Sequence, residues 1–161
     1  MRRGMIMVSL LCTVMAGATV FADGPDSIIG VWNTEEGDGK IEIYVCGNSY
    51  CGRIIWLKES TYPADSKEGI PGTPVLDTNN PDPSLRKRPI LGQQLLYGFK
   101  YVGNDRWDGG KIYDSDNGKT YNGKMELLSQ NQLKIRGFIG ISLFGGSTVW
   151  TKDQGQDYRE H

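Results

Sequence analysis

Apolar runs of five to eight residues recur along most of this 161-residue chain, each bounded by glycine, asparagine, aspartate or proline, with almost no helical periodicity. Runs that short, alternating with turn formers, restrict the chain to an all-β fold. Strands are expected at 28–33, 40–46, 51–57, 95–102, 106–114, 119–127, 132–138 and 147–152. In the second, Ile41, Ile43 and Val45 fall on one face, and the returning strand should place Ile54 and Trp56 on that same face. Breaks such as Asn117-Gly118, suited to a tight hairpin turn, make most connections short. Eight strands joined in this way favour a closed antiparallel up-and-down barrel, because closure removes exposed edges. A barrel of this size either fills with side chains or holds one small ligand.

One connection is not short. Residues 58–89 carry Pro63, Pro71, Pro74, Pro81, Pro83 and Pro89, six of the seven prolines. Connections beyond about fifteen residues are usually functional or disordered, and proline stiffening points to an ordered cover. A single helical turn is expected at 85–88.

The N-terminus reads as an export signal. Arg2 and Arg3 precede an apolar run from Met5 to Val20, and Val20-Phe21-Ala22 presents small or branched residues where a signal peptidase cuts. Residues 1–22 are therefore expected to leave, with cleavage after Ala22, and 23–161 to form a single domain in the periplasm or outside the cell. The run is short and diluted for a membrane span, so no stable span is expected after cleavage. Leu11 before Cys12 fits a lipoprotein site poorly. Loss of Arg2 and Arg3 lowers Lys+Arg from 18 to 16 against 19 Asp+Glu, a charge of −3, which offers no general attraction for nucleic acid. Cys46 and Cys51 then remain, at the two ends of a turn-rich Gly47-Asn48-Ser49-Tyr50 stretch. At a hairpin tip they would sit directly opposite each other, and an oxidising compartment favours a disulfide between them. Closing so short a loop contributes about 2 kcal/mol by the loop-length relation.

The chemistry is bounded by what is missing. The single histidine is His161, the last residue. Nucleophile–histidine catalysis and zinc ligation therefore lack their usual imidazole. No catalytic set, metal site or cofactor is implied. Asp77, Asn79, Asn80 and Asp82 resemble a calcium loop in composition, but Pro81 stands at the fifth position and no glycine follows, so local turn bonding explains them better. Asp114-Ser115-Asp116-Asn117-Gly118 reads as a hairpin turn. Asp77, Asp82, Asp108 and Asp114 are the candidates for a two-carboxylate glycan hydrolase.

Aromatic side chains point more toward binding. Trp32, Trp56, Trp107 and Trp150 all fall in expected strands, where core packing is the default role. Trp56 and Trp107, expected beside the long loop, are candidates for a ligand mouth, with Tyr113 in the same group. Arg53, Lys134 and Arg136 could supply a charged end to such a pocket. Arg86 and Arg88 in the 77–89 loop could instead dock an envelope partner or an anionic polymer.

Gly30-Val31-Trp32 at the start of the first strand resembles the Gly-x-Trp signature of lipocalins and related calycins. The resemblance implies that Trp32 closes one end of the barrel under a basic residue from the last strand, a position Lys152 occupies. A longer series is similar to an uncharacterised family of exported bacterial proteins, a domain of unknown function with a lipocalin-like barrel. It comprises Gly30-Val31-Trp32, Cys51-Gly52-Arg53-Ile54-Ile55-Trp56-Leu57, Asp77 with Asn80-Pro81-Asp82-Pro83, Leu85-Arg86-Lys87-Arg88-Pro89, Gly92, Trp107-Asp108-Gly109-Gly110-Lys111-Ile112-Tyr113-Asp114, Gly118-Lys119-Thr120-Tyr121 and Ile135-Arg136-Gly137-Phe138-Ile139-Gly140. This resemblance implies fold and export but no reaction. Together these readings favour a non-enzymatic exported protein that binds a small apolar or lipid-like molecule. An interaction module and a carboxylate hydrolase are the alternatives.

Overall fold

The computed structural model describes residues 24–141 and 145–155. The stretch read as a signal peptide, including Cys12, and the terminal His161 lie outside the described residues. Among the described residues eight strands follow in chain order: β1 (Gly30–Asn33), β2 (Gly39–Cys46), β3 (Ser49–Leu57), β4 (Gln94–Gly103), β5 (Arg106–Asp114), β6 (Lys119–Ser129), β7 (Gln132–Phe138) and β8 (Gly145–Lys152). Each pairs antiparallel with its sequence neighbour, and β8 returns to β1 through Trp32–Lys152 and Asn33–Thr151, closing the barrel. Every strand end lies within two residues of its expected position. Alternation sets the inside: in β7 Leu133 and Ile135 are buried while Lys134 and Arg136 lie on the other face.

The half of the barrel away from the long loop is filled. Trp32, Trp107, Phe99 and Leu133 are wholly buried there with Met125 nearly so, and each large side chain removed from water contributes about 1.5–3 kcal/mol. The Phe99 ring lies against β5 and β6 where Gly110 and Gly123 leave no side chain; a Cβ on either would collide with it. Residues 24–29 plug the end. Trp107 Nε1 donates to Pro25 O (3.2 Å), Tyr50 Oη to Asp26 Oδ1 (2.6 Å) and Trp32 Nε1 to Ile28 O (2.8 Å). Lys152 Nζ sits 4.7 Å from the Trp32 ring centroid and donates to Ile29 O (2.8 Å), as the calycin resemblance implies.

Two local expectations are corrected. The β2–β3 tip is the two-residue turn Gly47-Asn48, with Cys46 opposite Ser49 and Tyr44 opposite Cys51. The cysteines are thus diagonal rather than opposite, and the Cys46–Cys51 disulfide forms across a Cα separation of 5.8 Å. Val45 stays on the face of Ile41 and Ile43 but is exposed at this tip. Trp56 does not share the Ile41 face. The register slips between Lys40 and Ile41, so Ile41 opposes Ile54 but Lys40 opposes Trp56. A β-bulge of this kind turns the following side chain to the other face, leaving Trp56 41% exposed.

The long connection, residues 58–93, is ordered by its own backbone pairing. Val75 N–H donates to Ser60 O, Ile90 N–H to Val75 O, and Gly92 N–H to Ile54 O on β3. Tyr62 is buried within it, and its hydroxyl accepts from Leu76 N–H (3.2 Å). The helical turn is a 3-10 turn at Pro83–Leu85, earlier than expected, because the Asp82 carboxylate caps it by accepting from Ser84 N–H (2.9 Å). Asn79 Nδ2 ties the loop to the β5–β6 hairpin at Asp116 O (2.9 Å). Gly118 makes that contact feasible: its φ is +68°, and a Cβ there would collide with Asn79 O. Gly118→Ala should therefore lower stability by about 1–3 kcal/mol, as overpacking and left-handed strain both act. Chemical denaturation would measure the loss.

Candidate functional site

The half of the barrel beneath the long loop is hollow. A cavity of about 610 Å³ opens there, with Ile54, Leu95, Ile112, Ile135 and Trp150 as its apolar wall. Its space has a sequence cause. Gly137 on β7 and Gly146 on β8 face each other in register and both line the cavity. Where Phe99 fills the gap left by the glycines lower down, no heavy atom comes within 4 Å of a Cβ built on Gly146. Tyr113, Tyr121, Gln93 and Thr148 add polar groups. The rim carries Glu35, Glu36 and Asp38 from the β1–β2 turn and Asp114 and Asp116 from the β5–β6 turn.

One wall of this cavity is fixed by a buried carboxylate. Asp77 is 0% exposed. Its Oδ1 accepts from Tyr113 Oη (2.6 Å), and its Oδ2 accepts from Asn80 Nδ2 (2.7 Å), Gln93 Nε2 (3.1 Å) and Arg88 Nη2 (3.2 Å). Burial pushes the Asp77 carboxyl up, but the donors Tyr113, Asn80, Arg88 and Gln93 together outweigh it and hold the carboxyl below its ordinary value. Burial, reinforced by Asp77, pushes the Tyr113 phenol up to about 12. The network joins the loop (Asp77, Asn80, Arg88, Gln93) to β5 (Tyr113), and Tyr113 and Gln93 line the cavity as well. Gln93 is 6% exposed and its Oε1 is buried without a hydrogen-bond partner in the structure.

Of the residues singled out from sequence, Tyr113 and Arg88 meet at Asp77. Arg86 lies on the loop surface, its Nε donating to Asn80 O (2.7 Å). Trp107 is not beside the long loop: β5 begins at the plugged end, so Trp107 is 0% exposed at the far side of the barrel. Trp56 is outside, for the bulge described above. Arg53, Lys134 and Arg136 also face away from the cavity; Arg53 pairs with Glu42 (2.7 Å) and Arg136 Nη1 donates to Ser147 Oγ (3.1 Å). Lys134 and Arg136 instead line a separate pocket of about 370 Å³ together with Trp107, Arg106 and Lys124. The four carboxylates weighed for hydrolysis have separate local tasks. Asp77 is enclosed, Asp82 caps the 3-10 turn, Asp108 pairs with Lys124 (3.2 Å), and Asp114 accepts from Asp116 N–H (3.0 Å) and Asn117 Nδ2 (2.7 Å). Sequence reasoning did not single out Gln93 or Gly146. The readable sign was a pair of glycines at inward positions of adjacent strands.

A closed eight-stranded up-and-down barrel, plugged beneath Gly30-Val31-Trp32 and hollow at the other end, is of the lipocalin-like class. The chain belongs to the bacterial family described as "Uncharacterized protein conserved in bacteria (DUF2147)", whose pattern matches residues 30–152. Among solved structures it is similar to protein HP1028 from the human pathogen Helicobacter pylori, described as belonging to the lipocalin family. The two share 23% identity with a TM-score of 0.64, over 78% of this chain and 82% of that one. No curated protein shows a match to it. Among the described residues, no helix is long and apolar enough to cross a membrane.

Proposed function

We propose that this chain is an exported, non-enzymatic binding protein that carries a small, largely apolar molecule in the open half of its barrel. The observation that carries the reading is the cavity of about 610 Å³, within the range of roughly 300–1,000 Å³ usual for small-molecule sites. An apolar wall of Ile54, Leu95, Ile112, Ile135 and Trp150 can bury part of a ligand, and the many polar and acidic groups toward the rim can orient it. The signal-like N-terminus and the Cys46–Cys51 disulfide support export.

Native mass spectrometry of the protein recovered from its own compartment, followed by solvent extraction, tests this directly. A bound small molecule is expected on the wild type. Gly146→Leu, which places a side chain into the hollow, should abolish the adduct while leaving thermal stability within about 1 kcal/mol, since the site has room. A wild type that leaves its compartment empty and takes up no apolar probe would overturn the reading.

A further inference from the structure

We infer that the molecule held in this cavity is an organic cation: an apolar body against the barrel wall and an ammonium-type group at the rim. The inference rests on the cavity being a ligand site and names the chemistry of its occupant.

The cavity is electrically one-sided. Glu35, Glu36, Asp38, Asp114 and Asp116 border it, and among the described residues no lysine or arginine lines it. Among the described residues none of these five carboxylates takes part in an ion pair. Their partners are neutral: Glu35 accepts from Val149 N–H (3.3 Å), Asp38 from Thr34 Oγ1 (2.6 Å), and Asp114 from Asp116 N–H and Asn117 Nδ2. Arg88, the nearest guanidinium in the network behind the wall, is already engaged by Asp77. Burial first, then the charges of Asp114 and Asp38, push the Asp116 carboxyl above its ordinary value.

The cavity wall supplies a second sign. Tyr113, Tyr121 and Trp150 present aromatic surface to the same space, and ring faces attract ammonium groups. A fatty carboxylate would meet the opposite conditions: five like charges and no cation.

Calorimetric titration of the mature protein with decyltrimethylammonium, decanoate and decanol, at equal concentrations below micelle formation, separates the possibilities. The ammonium probe should bind at least about tenfold more tightly than decanoate, and more tightly than decanol, with the advantage shrinking in high salt. Glu36→Gln combined with Asp116→Asn, two exposed side chains, should remove most of that advantage and leave decanol unchanged. Gly146→Leu should abolish binding of all probes. Decanoate or decanol binding as well as the ammonium would overturn the charge assignment while leaving the ligand cavity standing. Ammonium binding that survives Gly146→Leu would place it on the outer surface and also overturn the inference. Failure of every probe to bind would sink both the cation assignment and the carrier reading beneath it.

Discussion

Asp77→Ala should be the most damaging substitution in the long loop, lowering stability by about 3–5 kcal/mol, the range seen when one partner of a buried charge pair is removed. The carboxylate is wholly buried, and its loss strands the Tyr113 hydroxyl, the Asn80 and Gln93 amides and one face of Arg88 together. Each buried donor left unmatched costs about 1–3 kcal/mol, moderated here because Arg88 is partly exposed and can turn to water. Urea denaturation gives the loss, and amide exchange should show it concentrated in residues 58–93. A variant as stable as wild type would remove Asp77 from its place at the centre of the network.

The same cluster sets a pH dependence whose sign follows from the shifts. The Asp77 carboxyl lies below its ordinary 3.8 in the folded protein. Its contribution is therefore complete above 3.8 and is lost as the pH falls through the lower folded value. Tyr113 and Tyr50 are both pushed up from 10.0 to about 12, by burial first and then by Asp77 and Asp26 respectively. Their contributions are complete below 10.0 and disappear as the pH rises toward 12. Asp116, raised, acts in the opposite sense on the acid side. The clean measurement is thus the difference between wild type and Asp77→Asn, which should shrink as acid protonates Asp77.

The second large effect separates two tryptophans that sequence reasoning treated as equals. Trp107→Ala should cost about 3–5 kcal/mol, the usual loss for a large aromatic deleted from a packed core. Its ring meets Tyr50 edge-on at 6.4 Å and Tyr101 at 5.2 Å, and its indole N–H anchors the plug at Pro25. Trp56→Ala, on the outer surface, should stay within about 0.5 kcal/mol. Thermal melts of the two variants side by side decide the matter; similar losses would mean that the β3 bulge is misplaced.

Those two residues also mark what could be read from sequence. Strand existence was legible because alternation and turn residues are local signals, and β5 to β7 follow them closely. Trp56 was misread because a bulge between Lys40 and Ile41 inverts the face of everything beyond it, and nothing in a period-two pattern announces an extra residue. The place of Trp107 depends on which end of the barrel β5 starts from, which follows from the whole strand order and not from the local pattern. Tyr113 and Arg88 were named as binding candidates. Their meeting at Asp77 depends on a loop of more than thirty residues folding back on β5, which is tertiary and has no local signature. A space for one small ligand is expected of such a barrel, but its position is not legible, for a related reason. Gly145-Gly146 looks like a break, whereas in the barrel Gly146 opposes Gly137 and the two together leave out a layer of side chains.

The seam between β1 and β8 has a consequence for how such a chain is assembled. Seven of the eight interfaces join sequence neighbours, all but β3–β4 through short connections, whereas the last joins the two extremities through Trp32–Lys152 and Asn33–Thr151. A polypeptide delivered N-terminus first can form a curled ribbon early but cannot become a cylinder until its final strand arrives. Lys152, arriving with that strand, bonds Ile29 and covers Trp32 in the same step. Circularisation and the sealing of the floor therefore both wait for β8.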